Sequence, residues 1–122
     1  MLSKPLRNAT PEEVLDAIGG FVVVNDWSAR DIQRSEMATG LGPQTCKHFC
    51  SSMSDELVDA RDVLPRIDQL QAWVEINGQI VARTSGTLPF GTALESGHWL
   101  APGDTLRMAI EGVGEIQHTW TP

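Results

Sequence analysis

Basic residues are scarce in this sequence of 122 residues: 9 Lys and Arg stand against 16 Asp and Glu, which gives a formal net charge of 9 − 16 = −7. Proteins that bind nucleic acid need a basic surface to meet the phosphates, so this balance argues against a nucleic-acid partner. No apolar run approaches the roughly 18 residues of a membrane-spanning helix, and residues 1–5 lack the apolar core of a signal peptide. We therefore expect a cytoplasmic protein with no membrane partner.

Cysteine and tyrosine are also scarce. The two cysteines do not make a disulfide framework, and the sequence contains no tyrosine. Its 41% apolar and 20% charged residues are ordinary for a globular domain, and no repeat or linker interrupts it. The length fits one domain, so we predict a single domain over residues 1–122. The four tryptophans are assigned to packing, either in the core or at a dimer interface.

The first third of the sequence predicts two short helices around one strand. Residues 10–13, TPEE, carry a capping box with proline at the first helical position, which predicts a helix as far as Ile18. The continuous apolar run at residues 21–24 predicts a buried strand. After it, Ser28 is predicted to cap a second helix that ends before Gly40.

From residue 71 onward the pattern is typical of strands. Residues 71–76 and 79–83 alternate between apolar and polar positions around Asn77-Gly78, the strongest short hairpin signal. Pro102-Gly103 predicts a tight turn with glycine at its third position, and two further alternating strands follow it. The predicted fold class is therefore α+β, mostly β.

Asp26 directly follows the apolar run, at the mouth of a core strand, where a carboxylate is costly unless it is paired or bound to a metal. Arg30 and Gln33 follow on the predicted second helix. The carboxylate, guanidinium and amide could together hold a divalent ion and an anionic substrate. Alternatively, Asp26 caps the helix and pairs with Arg30, a structural arrangement that the residues alone favour.

The run VNDWSARDIQ at residues 24–33 resembles the signature of the fumarylacetoacetate hydrolase family. The resemblance continues in chain order through residues 41–49, 76–78, 86–89, 94–100 and 102–114. It implies a mixed β-roll of the type of these enzymes' C-terminal domain, here truncated, and a homodimer or higher homo-oligomer. It also implies Mg²⁺-dependent chemistry, or Ca²⁺- or Mn²⁺-dependent chemistry, on small oxo-acids. The reactions are C–C bond hydrolysis of acylpyruvates and diketo acids, or decarboxylation.

The resemblance assigns metal and catalytic roles to four residues. Asp26 matches the family's metal-binding aspartate, and Ser51 stands where a threonine hydroxyl is usual beside the metal. Lys47 matches the lysine next to the metal site, and Glu95 matches the glutamate that orients a water-activating histidine. We assign Asp26 and Ser51 to metal binding, and Lys47 and Glu95 to catalysis.

Substrate contacts are assigned to Arg30, Gln33 and Thr87, of which Thr87 matches a threonine that contacts the substrate carboxylate.

Two parts of the family pattern are missing. Residues 1–9 contain no Asp or Glu where the family supplies an acidic metal-binding pair, and that region should also carry the histidine. The segment around Ser85 is shorter than the family's.

Other side chains are candidates to replace the missing groups. His48 and His98 are candidates for a water-activating base, and Glu36 and Asp55 for an added metal ligand. Two functions stay open: an enzyme of this family, or a catalytically silent shortened relative that binds a small ligand or self-associates.

Overall fold

The computed structural model describes residues 1–40, 42–85, 97 and 99–121. The helices are α1 (Pro11–Leu15), α2 (Arg30–Ala38) and α3 (Ala60–Val63), with 3-10 segments at Thr45–Lys47 and Leu64–Gln69. The strands are β1 (Gly20–Phe21), β2 (Val24–Asp26), β3 (Ser51–Met53), β4 (Val58–Asp59), β5 (Gln71–Ile76), β6 (Gln79–Ser85), β7 (Thr105–Ile110) and β8 (Gly114–Thr119). The predicted class, α+β and mostly β, is confirmed.

The second half of the chain forms a four-stranded antiparallel sheet in the order β6-β5-β7-β8. The predicted hairpin joins β5 to β6, with φ of 53° at Asn77 and 77° at Gly78, as a type I′ turn requires. The predicted Pro102-Gly103 turn also forms, because Gly103 has a φ of 95° and the Asp104 N–H donates to the Ala101 carbonyl at 3.0 Å.

The first half of the chain contributes two small ribbons, β1 paired with β4 and β2 paired with β3. The capping box of α1 is confirmed: the Glu13 N–H donates to Thr10 Oγ1 at 3.3 Å, and the Thr10 N–H donates to Glu13 Oε2 at 2.8 Å. The predicted extension to Ile18 is wrong, because the helix ends at Leu15 with Asp16 as its C-cap.

Two expectations about the chain around β2 are also wrong. The apolar run at residues 21–24 is not one strand, because β1 ends at Phe21 and β2 begins at Val24, with buried Val23 between them. The N-cap of α2 is Ala29 rather than Ser28, and it makes no side-chain capping bond. The Ser28 hydroxyl instead donates to the carbonyl of Asp26 at 3.1 Å.

The core consists of two apolar clusters that anchor β2 from both ends. The first cluster contains Val23, Val63, Leu70, Val113 and Ile116. The second contains Val74, Ile76 and Leu106, with Trp27 packed against it. Because Val23 and Trp27 flank β2, the backbone that carries Asp26 is fixed while its open face stays at the surface. No helix in the described ranges is long and apolar enough to cross a membrane.

Candidate functional site

Asp26 and Ser51 are direct cross-strand partners in the β2–β3 ribbon. Opposite residues of an antiparallel pair point to the same face, so the carboxylate and the hydroxyl lie side by side. The Asp26 side chain is 56% exposed, which means that it lies at the protein surface and not inside the core. The two predicted metal ligands are therefore brought together at an open position.

Lys47 reaches the same place from the 3-10 segment Thr45–Lys47. Its ammonium donates to Asp26 Oδ2 at 2.5 Å and to the Ser28 hydroxyl oxygen at 2.8 Å, and its side chain is 28% exposed. An ammonium group has three N–H donors, so one donor is left after these two bonds to described residues. Lys47 is the partner that balances the Asp26 charge.

Arg30 and Gln33 lie on the first turn of α2 and contact each other. The Arg30 guanidinium donates to Gln33 Oε1 at 2.5 Å, so the structural alternative in which Arg30 pairs with Asp26 is wrong. The Ala29 N–H, directly before Arg30, donates to the carbonyl of Cys46, directly before Lys47, at 2.9 Å. This backbone bond brings the two cationic residues onto adjoining segments.

Glu36 binds the backbone that precedes Lys47. Its carboxylate accepts from the backbone N–H groups of Gln44 and Thr45, both at 2.8 Å, and from the Thr45 hydroxyl. The Thr45 hydroxyl and then the Gln44 N–H lower the pKa of Glu36 from 4.5 to about 2. The backbone of residues 44 and 45 uses both Glu36 oxygens, and Glu36 joins no group of metal-ligating side chains in the described ranges.

Trp27 follows Asp26 and packs against the second half of the chain. Its indole N–H donates to the Ser52 hydroxyl oxygen at 3.0 Å, which ties the end of β2 to β3. Its ring packs edge-on against His118 and stacks with Trp120, with centroid distances of 5.9 and 6.4 Å. The site is thus joined to β8 of the large sheet through aromatic contacts.

The described residues do not by themselves fit a divalent cation. Mg²⁺ takes six oxygen ligands in near-octahedral geometry, and here a single carboxylate, already paired with Lys47, stands beside one hydroxyl. Across the described ranges no three Asp, Glu, His or Cys side chains form a group able to hold a metal. Asp55, a candidate for an added metal ligand, is exposed and joins no such group, and His48, a candidate base, is exposed as well.

Three sequence predictions lie outside the described residues: the substrate contact Thr87, the catalytic Glu95 and the candidate base His98. Two residues with clear contacts at the site were assigned other roles from the sequence. Ser28 was predicted as a helix cap and accepts from Lys47, and Glu36 was, with Asp55, a candidate for an added metal ligand and binds backbone. No sequence pattern predicts these two hydrogen bonds, because they join residues that are 19 and 8 positions apart.

One family model and several known proteins match this chain. The family model described as fumarylacetoacetate (FAA) hydrolase C-terminal matches residues 1–88. Fumarylacetoacetase of Dictyostelium discoideum is 44% identical over 54 residues, which are 44% of this chain and 12% of the relative. The human mitochondrial oxaloacetate tautomerase FAHD1 is 25% identical over 80 residues, which are 66% of this chain and 36% of the relative.

Solved structures show the same fold. A fumarylacetoacetate hydrolase from Exiguobacterium antarcticum superposes with a TM-score of 0.78 at 18% identity, over 99% of this chain and 53% of that one. A 5-carboxymethyl-2-hydroxymuconate delta-isomerase from Mycobacterium smegmatis gives 0.66 at 20% identity, over 95% and 53%. The chain therefore spans about half the length of these structures and about a third or less of the curated relatives. On the family match over residues 1–88, the chain belongs to the fumarylacetoacetate hydrolase C-terminal family.

Proposed function

We propose that this chain acts on small oxo-acids by C–C bond hydrolysis or decarboxylation. The observation that carries the proposal is the set of cationic and amide side chains on two segments joined by a backbone hydrogen bond: Lys47, paired with Asp26, on one segment, and Arg30, bonded to Gln33, on the other. A small acid with a carboxylate and an oxo group presents anionic and polar oxygens of the kind that such donors bind. Family membership supports the same substrate class.

In this proposal Arg30 and Gln33 bind the substrate carboxylate. Gln33 gives its oxygen to the Arg30 guanidinium at 2.5 Å, so its NH₂ group keeps two donors for another acceptor. The guanidinium keeps further N–H donors as well, and its planar fork suits a carboxylate. Their mutual bond therefore fixes a set of outward donors at the start of α2.

Lys47 serves the oxo group. When a C–C bond beside an oxo group breaks, one fragment leaves as CO₂ or, after water adds to its carbonyl, as a carboxylic acid. The electron pair stays on the other carbon as an enolate, with negative charge on the oxo oxygen, until that carbon takes up a proton. The remaining N–H donor of Lys47 stabilises that charge, since a fixed cation acts most strongly where charge appears during the reaction. Glu95 and Thr87, which lie outside the described residues, remain predicted as the water-orienting and carboxylate-binding groups.

A divalent cation is a further part of the proposal: Mg²⁺, with Ca²⁺ and Mn²⁺ as alternatives. Asp26 and Ser51 are the ligands that the described residues offer, and the remaining ligands would have to come from elsewhere. No step above depends on the metal. Binding of millimolar Mg²⁺ or Mn²⁺ would raise the melting temperature by mass action, and Asp26→Ala would abolish that increase.

Self-association into a homodimer or higher homo-oligomer is also proposed. Exposed apolar side chains support it, among them Val24 (54%) and Met53 (58%), which are direct partners on the open face of the β2–β3 ribbon. Light scattering at several protein concentrations tests this, and a monomer at every concentration would contradict it.

A cytoplasmic location is proposed as well, supported by the free thiols of Cys46 and Cys50, and cell fractionation tests it.

Turnover assays test the proposed activity. An acylpyruvate and oxaloacetate are each incubated with the protein, with and without millimolar Mg²⁺ or Mn²⁺. We expect turnover that falls by at least about tenfold in Lys47→Met, the loss of a charged hydrogen bond worth roughly 1.5–3 kcal/mol. Lys4→Met is the matched control for Lys47→Met. Binding of either acid without turnover would instead identify a silent, ligand-binding relative.

A further inference from the structure

Glu36 is bonded to the stretch of backbone that leads directly to Lys47. Its Oε2 accepts from the N–H of Gln44 and its Oε1 from the N–H of Thr45, both at 2.8 Å, and the Thr45 hydroxyl adds a third bond. The N–H of Cys46 lies 3.4 Å from Oε2. These N–H groups stand at the start of a 3-10 turn, where the first donors have no partner within the turn itself.

The same turn has a second attachment to α2. The Ala29 N–H, at the start of that helix, donates to the carbonyl of Cys46 at 2.9 Å. Glu36 belongs to the last turn of the helix. The 3-10 turn is therefore bonded both to the start of α2 and to its last turn. The turn therefore cannot slide along α2 without breaking a bond to one end or the other.

The position of the Lys47 ammonium depends on this backbone. Lysine carries its charge on a flexible four-carbon chain, so contacts at Nζ alone do not fix its place. Here Nζ contacts Asp26 and Ser28, which belong to β2 and the residues just after it. The fixed turn holds the backbone end of the Lys47 side chain. It therefore sets the direction from which the side chain approaches Asp26.

We infer that Glu36 is a positioning residue, whose carboxylate fixes the turn of residues 44–46 and thereby holds the Lys47 ammonium at Asp26. Among the described residues, the Glu36 carboxylate hydrogen-bonds to residues 44–46 and not to Lys47, Arg30 or Gln33. Its effect on turnover rests on the proposed function, whereas its effect on the place of Lys47 does not. These hydrogen bonds, that of the Thr45 hydroxyl first, lower the pKa of Glu36.

The chain allows a direct measurement of this effect because it contains only two lysines, Lys4 and Lys47. In the 122-residue protein labelled with ¹⁵N-lysine, a side-chain ammonium spectrum has two signals, and Lys4 serves as an internal reference. We expect the Lys47 signal to differ from that of Lys4 in chemical shift and to exchange more slowly with water. Asp26→Asn gives the position of the Lys47 signal when its ion pair is lost.

Glu36→Gln is the main variant, since a glutamine amide has one acceptor and turns two donors toward backbone N–H groups. We expect the Lys47 signal of this variant to move most of the way toward its position in Asp26→Asn, with faster exchange. Glu12→Gln makes the same change of charge on exposed α1 and should leave both lysine signals in place. A folded Glu36→Gln protein with an unchanged Lys47 signal would overturn the inference.

Thr45→Val decides the matter if Glu36→Gln does not fold. It removes one hydrogen bond to Glu36, keeps the backbone donors, and should shift the Lys47 signal in the same direction by less. An unchanged signal in that variant would overturn the inference. If the unaltered protein shows no turnover, the proposed function fails while the lysine spectra still test the position of Lys47. If it turns over, Glu36→Gln should lower kcat in parallel with Lys47→Met.

Discussion

At the scale of single residues, the bond between Lys47 and Asp26 is short but open to solvent, with side chains that are 28% and 56% exposed. Water screens such a pair, and holding two side chains in one geometry costs entropy, so exposed ion pairs contribute about 0–1 kcal/mol to stability. We predict that Lys47→Met lowers the free energy of unfolding in urea by less than about 1 kcal/mol. If Lys47→Met instead lowered the free energy of unfolding by several kcal/mol, the main role of the ion pair would be to stabilise the fold.

Glu36 belongs to the same scale and gives a prediction about pH. Its folded pKa of about 2 lies below the ordinary 4.5, so the ionised group stabilises the fold above pH 4.5. That contribution is lost as the pH falls from 4.5 toward 2. In urea denaturation we expect Glu36→Gln to be less stable than the unaltered protein at pH 7, with a difference that shrinks below pH 4.5. A difference that stays constant down to pH 2 would contradict the assigned contacts.

The residue contacts of the site were only partly predictable from the sequence. The resemblance placed Lys47 beside Asp26, and the structure joins them across 21 residues. Ser28 looked like a helix cap because serine often precedes helices, yet its hydroxyl is used by the Asp26 carbonyl and by Lys47. Bonds between segments that are distant in sequence depend on the tertiary fold, and local residue preferences do not encode them.

At the scale of elements, local signals succeeded where one short segment determines the geometry. The Thr10 capping box and the Asn77-Gly78 hairpin are examples, because each is specified by two to four adjacent residues. The apolar run at residues 21–24 gave a wrong strand, because a run of buried side chains does not fix backbone pairing. Val23 enters the core, and its N–H and carbonyl bond to Ser54.

The Trp27–Ser52 bond is the element-scale tie between β2 and β3, and it yields a third prediction. Ser52→Ala leaves the half-buried indole N–H without its acceptor, which we expect to lower the free energy of unfolding by about 1 kcal/mol. Trp27→Phe removes the donor as well as packing. A double-mutant cycle of the two changes in urea denaturation isolates the bond, and a coupling energy near zero would show that the contact does not stabilise the ribbon.

At the scale of the whole molecule, the site depends on contacts between the two halves of the chain. Trp27 of the first half packs against His118 and Trp120 of the second, and Val23 packs in the cluster that contains Ile116. The mixed β-roll stays a prediction, since the described strands pair only in an antiparallel sense within three small sheets. The site and the sheet should therefore unfold together.

Val63 tests that cooperativity at the scale of the molecule. Its side chain is fully buried in the cluster that joins α3 and Val23 to β8. Val63→Ala should lower the free energy of unfolding by roughly 2 kcal/mol, from lost apolar burial and the cavity left behind. Val14→Ala, at a 39% exposed position on α1, is the matched control and should have little effect. Within each variant, far-ultraviolet circular dichroism and tryptophan fluorescence should report the same urea midpoint as each other, because one core joins the two halves. Separate midpoints in Val63→Ala would show instead that the β2–β3 site and the large sheet unfold independently.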